Sequence, residues 1–146
     1  MTKSILLVGV GGQGTILASK ILTLGLMEAG FDVKMSEIHG MSQRGGSVSS
    51  QVRYGDVVYS PVIEKGSADI IVSFEKMEAL RALDYLKEGG VLVVNDEEID
   101  SMSVITGQEE YPDDVLDIIK SHSKATVLNA TELARGLGNE KAANII

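Results

Sequence analysis

The sequence contains no cysteine. That excludes disulfides, thiolate zinc sites and cysteine-ligated iron–sulfur clusters within the chain. Lysine and arginine are few, 13 against 21 aspartates and glutamates, for a net charge of −8. A surface so short of cations argues against non-specific nucleic-acid binding, which needs them to replace phosphate counterions. No apolar run approaches the roughly 20 residues that span a bilayer. Met1-Thr2-Lys3-Ser4 leads straight into a short apolar run and a glycine cluster, without the long apolar stretch and small-residue cleavage site of a signal peptide. A cytoplasmic protein is expected, with neither a membrane nor a nucleic acid as partner. Two prolines against 16 glycines point to close backbone approaches rather than stiff linkers. Catalytic signatures are missing as well. There is no His-Glu-x-x-His, no Gly-x-Ser-x-Gly and no P-loop lysine motif, so those hydrolytic and phosphoryl-transfer chemistries have no support. The two histidines, His39 and His122, read as ordinary residues rather than ligands or bases.

What is present is a globular chain of 146 residues, 44% hydrophobic and 23% charged. That length suits one domain. Residues 5–8 are an unbroken apolar run bounded by glycine, which predicts a strand buried on both faces. The pattern then predicts a helix over 12–29 closed by Gly30, a strand over 31–37 and a loop over 38–46. Val48, Ser50 and Val52 alternate with polar neighbours, and Val57-Val58-Tyr59 follows a Tyr54-Gly55-Asp56 turn, which predicts a hairpin ended by Pro61. Further on come a strand over 69–74, a helix over 75–87 closed by Gly89-Gly90, and a strand over 91–94. A short strand is placed near Val104, a helix from Pro112, a strand over 126–128, and a last helix capped by Asn129 with Glu132 three residues on. This succession gives an α/β fold, Rossmann-like and three-layered, with a mostly parallel sheet and an antiparallel hairpin insertion.

Two loops concentrate unusual chemistry. Gly9-Val10-Gly11-Gly12-Gln13-Gly14 matches Gly-x-Gly-x-x-Gly between a buried strand and a helix. Such glycines permit a tight turn and close ligand approach, and the first helical amides favour an anion. The plain alternative is that they only let the helix pack tightly on the sheet. Gln13 could fill part of the phosphate space or contact a ligand or partner backbone. Glu37 lies near the place of a ribose-binding acid, somewhat late. The second loop, Glu37-Ile38-His39-Gly40-Met41-Ser42-Gln43-Arg44-Gly45-Gly46, offers a cation beside a glycine pair. Arg44 could take a carboxylate or phosphate through two donors, with aligned amides at Gly45-Gly46. Its plain alternative is a solvated surface loop. Glu75 opens a helix, where a favourable first-turn charge is the simpler reading. Ile16, Leu17, Ile21, Leu22, Leu24, Leu26 and Met27 spread around most of the first helix, so it is covered either by its own sheet and neighbours or by another subunit.

These two loops, with Tyr59-Ser60-Pro61-Val62-Ile63 and the stretch from Phe74-Glu75-Lys76 to Leu80-Arg81, resemble the 2-oxoacid:ferredoxin oxidoreductases. The likeness is to their small gamma-type subunit, nearest the beta subunit of the indolepyruvate ferredoxin oxidoreductase branch. It implies one gamma-type domain over 1–146, and the apolar end at Ile145-Ile146 is expected to continue in a longer chain. It implies a complex that oxidatively decarboxylates 2-oxoacids, arylpyruvates above all, to acyl-CoA. Thiamine diphosphate, iron–sulfur clusters and coenzyme A serve that complex, with ferredoxin as acceptor. The thiamine and cluster sites are expected on a large partner subunit. No catalytic or metal-binding residue is assigned to this chain. Gly9, Gly11, Gly12, Gln13 and Gly14, with Ser42, Gln43, Arg44, Gly45 and Gly46, are the cofactor-side candidates that the resemblance carries over. Two rival readings stand beside it: an autonomous NAD(P)- or nucleotide-binding regulator using Glu37, and a purely structural assembly module.

Overall fold

The computed structural model describes residues 1–39 and 45–146, without the side chain of His39. The strands are β1 (Lys3–Val10), β2 (Asp32–His39), β3 (Ser47–Gly55), β4 (Ala68–Ser73), β5 (Leu86–Asn95) and β6 (Ala125–Leu128). They form one sheet in the order β2-β3-β1-β4-β5-β6. The pairings β1–β4, β4–β5 and β5–β6 are parallel, while β3 is antiparallel to both β1 and β2. Only β3 is therefore reversed. The helices are α1 (Thr15–Glu28), α2 (Lys76–Ala82), α3 (Met102–Ile105), α4 (Val115–His122) and α5 (Ala130–Gly136).

The unbroken apolar run of β1 has a direct cause. Leu6 and Val8 face a core shared with Ile71, Leu92, Val94, Ala79, Val115 and Ile119, which brings in α2 and α4. Ile5 and Leu7 face the opposite core with Val52 and Phe74, against Ala18, Leu22 and Leu26 of α1. A central strand with a helix on each face has no polar side to show. Three layers follow, as the sequence predicts. Helix α1 is also tied to β3 by a polar contact: buried Ser19 donates to Ser50 Oγ at 3.2 Å and to Ile16 O at 2.8 Å.

The hairpin is placed differently from expectation. Residues 57–59 form no strand. β3 pairs instead with β2, Ser36 opposite Gln51 and His39 opposite Val48, and on its other edge with β1. With both edges taken, a returning strand has no ladder to join. The 57–59 stretch is held otherwise, by Val58 N–H donating to Asp32 Oδ2 at 2.8 Å, and Tyr59 stands out at 93% exposure. That bond, with the Lys34 ammonium beside it, lowers the Asp32 carboxyl below its ordinary value.

Three further boundaries differ. The helix expected over 75–87 stops at Ala82 and continues as a 3-10 turn over Leu83–Tyr85, because Leu86 is already paired with Ala68 in the sheet. The strand expected near Val104 is the short helix α3. Pro112 lies before α4, whose N-cap is Asp114, since Tyr111 is anchored upstream by its hydroxyl to Glu75. Gly30, at φ 94°, ends α1 in the left-handed conformation expected after a helix, and Asn129 caps α5 by accepting from Glu132 N at 3.0 Å. Among the described residues no helix is long and apolar enough to cross a membrane.

The fully buried Ile71 sits in the middle of β4. Ile71→Ala is expected to cost about 2–5 kcal/mol in urea denaturation. A loss well under 1 kcal/mol would contradict the close packing of the two cores.

Candidate functional site

The glycine loop after β1 turns directly into α1, whose N-cap is Gly14 at φ 82° and ψ 23°. Among the described residues no side chain caps this end. Gly9 is required by packing rather than by torsion. A Cβ there would lie 2.9 Å from both Gln13 Oε1 and Thr15 Oγ1 and 3.3 Å from Phe74 Cβ. Gly12, at φ 100°, faces open space. The packing alternative thus holds for Gly9, while Gly12 leaves the surface free for close approach.

Gln13 does something the sequence reading did not contain. Its Oε1 accepts Val10 N–H at 2.8 Å and its Nε2 donates to Phe74 O at 2.8 Å. The side chain is a cross-tie between the carboxyl ends of β1 and β4, engaged with this chain's own backbone. Asn95 completes the tie from β5. Its Nδ2 donates to Phe74 O and Thr131 Oγ1, each at 3.2 Å, and its Oδ1 accepts Ala130 N–H at 2.8 Å. Three strand ends and α5 are thereby fixed around one carbonyl. A cleft of about 810 Å3 opens above them, between the glycine loop, Glu97 and the segment 138–144. Asn144 Nδ2 donates to Gly14 O at 3.2 Å across its rim. A second hollow, about 310 Å3, is lined by Gly11, Gly12, Gly14, Thr15 and Val48. Thr15 Oγ1 is buried nearby and has no hydrogen-bond partner among the described residues.

The two glycine loops meet. Gly11 N–H donates to Gly46 O at 2.8 Å, one step beyond the ladder in which Val10 opposes Ser47. Gly9, Gly11, Gly12, Gln13, Gly14, Gly45 and Gly46 therefore share the carboxyl edge of the sheet. Ser42, Gln43 and Arg44 lie outside the described residues. Glu37, on β2, is paired with Ser50 of β3, so β3 lies between it and β1. Two strand spacings put it roughly 10 Å from β1, farther than in a sheet whose second strand adjoins the first.

Buried acids support this edge from below. Glu75, 0% exposed, is the N-cap of α2. Its Oε1 accepts Glu78 N–H at 2.8 Å, and its Oε2 accepts Ile99 N–H at 3.1 Å and the Tyr111 hydroxyl at 2.5 Å. This is the structural role expected for Glu75, as a cap rather than a first-turn charge. Burial, then the bond to Glu75, raises the Tyr111 pKa and keeps it a phenol donor. Glu78 accepts from Ser47 Oγ at 2.9 Å and Arg81 Nη1 at 2.6 Å. Burial raises its carboxyl above the ordinary value, against the pull of Ser47 and Arg81. The sequence reading missed Gln13 as a tie, Asn95, Glu78 and Arg81. Only the Glu78–Arg81 spacing of three within a helix signalled a pairing.

The Pyruvate ferredoxin/flavodoxin oxidoreductase family model matches residues 4–146. The chain belongs to this family. It is 40% identical to the indolepyruvate oxidoreductase subunit IorB of Pyrococcus horikoshii, over 98% of this chain and 73% of that one. The IorB subunit of Archaeoglobus fulgidus is 38% identical over 100% of this chain and 74% of its own. Among solved structures, the keto/oxoacid ferredoxin oxidoreductase gamma subunit of Geobacter sulfurreducens PCA superposes with a TM-score of 0.67. It is 26% identical, over 98% of this chain and 71% of that one. The gamma-type resemblance read from the two loops and the α/β fold both hold for this family member.

Two outcomes test the geometry. Gln13→Leu leaves the Val10 amide and the Phe74 carbonyl without this partner and is expected to cost about 1–3 kcal/mol in urea unfolding; no change would contradict the cross-tie. Because the folded chain binds the Glu78 proton more tightly than the unfolded chain, the stability it contributes is present at low pH and fades as pH rises through its raised pKa. Glu78→Gln should therefore gain on the wild type in urea midpoint between about pH 4 and pH 7. A constant difference over that range contradicts the raised pKa.

Proposed function

We propose that this chain is the small subunit of a complex that oxidatively decarboxylates 2-oxoacids, with indolepyruvate and other arylpyruvates as substrates. The 2-oxoacid loses carbon dioxide, its acyl group joins the thiol of coenzyme A, and the two electrons released reduce ferredoxin while one proton is set free. Thiamine diphosphate supplies carbanion stabilisation and iron–sulfur clusters carry the electrons, both housed on a large partner subunit. The lack of any cysteine here supports placing the clusters there, because their usual ligands are thiolates.

The observation that carries this reading is the junction of the two glycine loops through Gly11 and Gly46, in a chain 40% identical to an indolepyruvate oxidoreductase subunit over nearly its whole length. The joined edge presents open Gly12 and the mouth of the 810 Å3 cleft to a partner. Arg44 and its neighbours Ser42 and Gln43 are assigned the polar contacts of that edge on the acyl-CoA side. Exposed Leu17, Ile21, Leu24 and Met27 on α1 form an apolar face running from the cleft, since Leu17 also lines it. This face is assigned to the same partner. The position of Glu37, a strand away from β1, counts against the nucleotide-regulator alternative.

The test is reconstitution with the large, cysteine-rich subunit. Arylpyruvate- and CoA-dependent ferredoxin reduction is expected from the pair and from neither alone. Gly12→Val and Arg44→Ala are expected to lower the reconstituted rate or the assembly constant about tenfold or more, near 1.4 kcal/mol. Leu24→Glu is expected to weaken assembly by a similar factor. Unchanged rates and assembly in all three contradict the proposal.

A further inference from the structure

Gly45 and Ser47 are held by a closed circuit of contacts that begins and ends on the same three residues. Gly45 O accepts Met102 N–H at 2.7 Å, at the start of α3. Ser101 and Ser103, on either side of Met102, join their hydroxyls at 2.8 Å. Ser103 Oγ donates to Glu109 Oε2 at 2.5 Å, and the same oxygen accepts from Arg81 Nη2. Arg81 Nη1 then donates to Ser47 Oγ at 2.8 Å and to Glu78 Oε1 at 2.6 Å. The circuit returns to Gly45 through the covalent chain.

We propose that Arg81 is a positioning residue that sets the pose of Gly45–Ser47 on the sheet edge by clasping Ser47 with one guanidinium nitrogen and the 101–109 segment, through Glu109, with the other. A planar fork with two separate donor nitrogens suits this work, and a lysine, with a single ammonium on a flexible stem, does not. The two carboxylates it joins are unlike. Glu78 is buried among Ser47, Glu75 and α2, whereas Glu109 is half exposed on a loop. Arg81 therefore links a buried acid to a half-exposed one. Without it, the ties from the 101–109 segment to Gly45 that remain among the described residues are the Met102–Gly45 bond and the close approach of Met102 Cγ, which a Cβ on Gly45 would meet at 3.2 Å. The value of this clasp to catalysis rests on the assembly reading above. The clasp itself does not.

The Met102 amide reports on it, because its hydrogen bond is to Gly45 O and not to Arg81. Amide exchange is measured by NMR on the full chain alone, for the wild type, Arg81→Lys, Arg81→Ala and Glu109→Gln. Both Arg81 variants are expected to speed exchange at Met102 about tenfold or more while the β1 amides keep their wild-type rates. Glu109→Gln, which retains an acceptor, is expected to fall between. Wild-type exchange at Met102 in the Arg81 variants overturns the proposal. So does an acceleration shared equally by β1, which would show a loss of global stability only. A failed reconstitution leaves this result untouched, and a failed exchange experiment leaves the assembly reading untouched.

Discussion

The reversal of β3 is the constraint on which the rest of the molecule depends. An antiparallel strand laid between β1 and β2 must start where β1 ends. Val10 then opposes Ser47, and the chain entering β3 passes directly beside the glycine loop leaving β1. The Gly11–Gly46 bond is a consequence of that register. The same insertion pushes β2 to the sheet edge and moves Glu37 away from β1. A fold that resembles a dinucleotide-binding sheet in its first turn thereby loses the neighbouring strand that would carry the ribose acid.

With the edge so arranged, its rigidity comes from polar groups that act on the chain itself. Gln13 and Asn95 converge on the Phe74 carbonyl and join three strand ends. Glu75 gathers a helix amide, a loop amide and the Tyr111 hydroxyl, so a fully buried carboxylate has three donors and a favourable place at the start of α2. Such a group is costly to bury unpaired, and its three donors offset that cost. The result is a firm platform under two glycine-rich surfaces, which suits the proposed role of presenting an edge to a partner.

Much of this was legible. The unbroken run at residues 5–8 gave a two-sided strand because a central strand between helices has no polar face. Gly30 and Asn129 marked helix ends because their backbone and side chain meet local requirements there. What escaped was set by partners distant in sequence. Val57-Val58-Tyr59 has strand composition, but both edges of β3 were already occupied. Leu86 continues an apolar helical pattern, yet pairs with Ala68 in the sheet. For Gln13 the sequence leaves phosphate space, a ligand and a partner backbone open, because nothing nearby in sequence identifies the Phe74 carbonyl as its acceptor. Helix α1 is apolar on more than one side, as its sequence predicts, with Ala18 and Leu22 turned to the core and Leu24 left 61% exposed.

An apolar helix face, an open glycine and an edge stiffened from within belong together if another subunit rests on them. The most direct measurement is a structure of this chain assembled with the proposed large partner subunit. The account predicts that Gly12, Gly46 and the outer face of α1 lose their solvent exposure to that subunit. Both glycine loops standing in solvent in the assembled complex would contradict it.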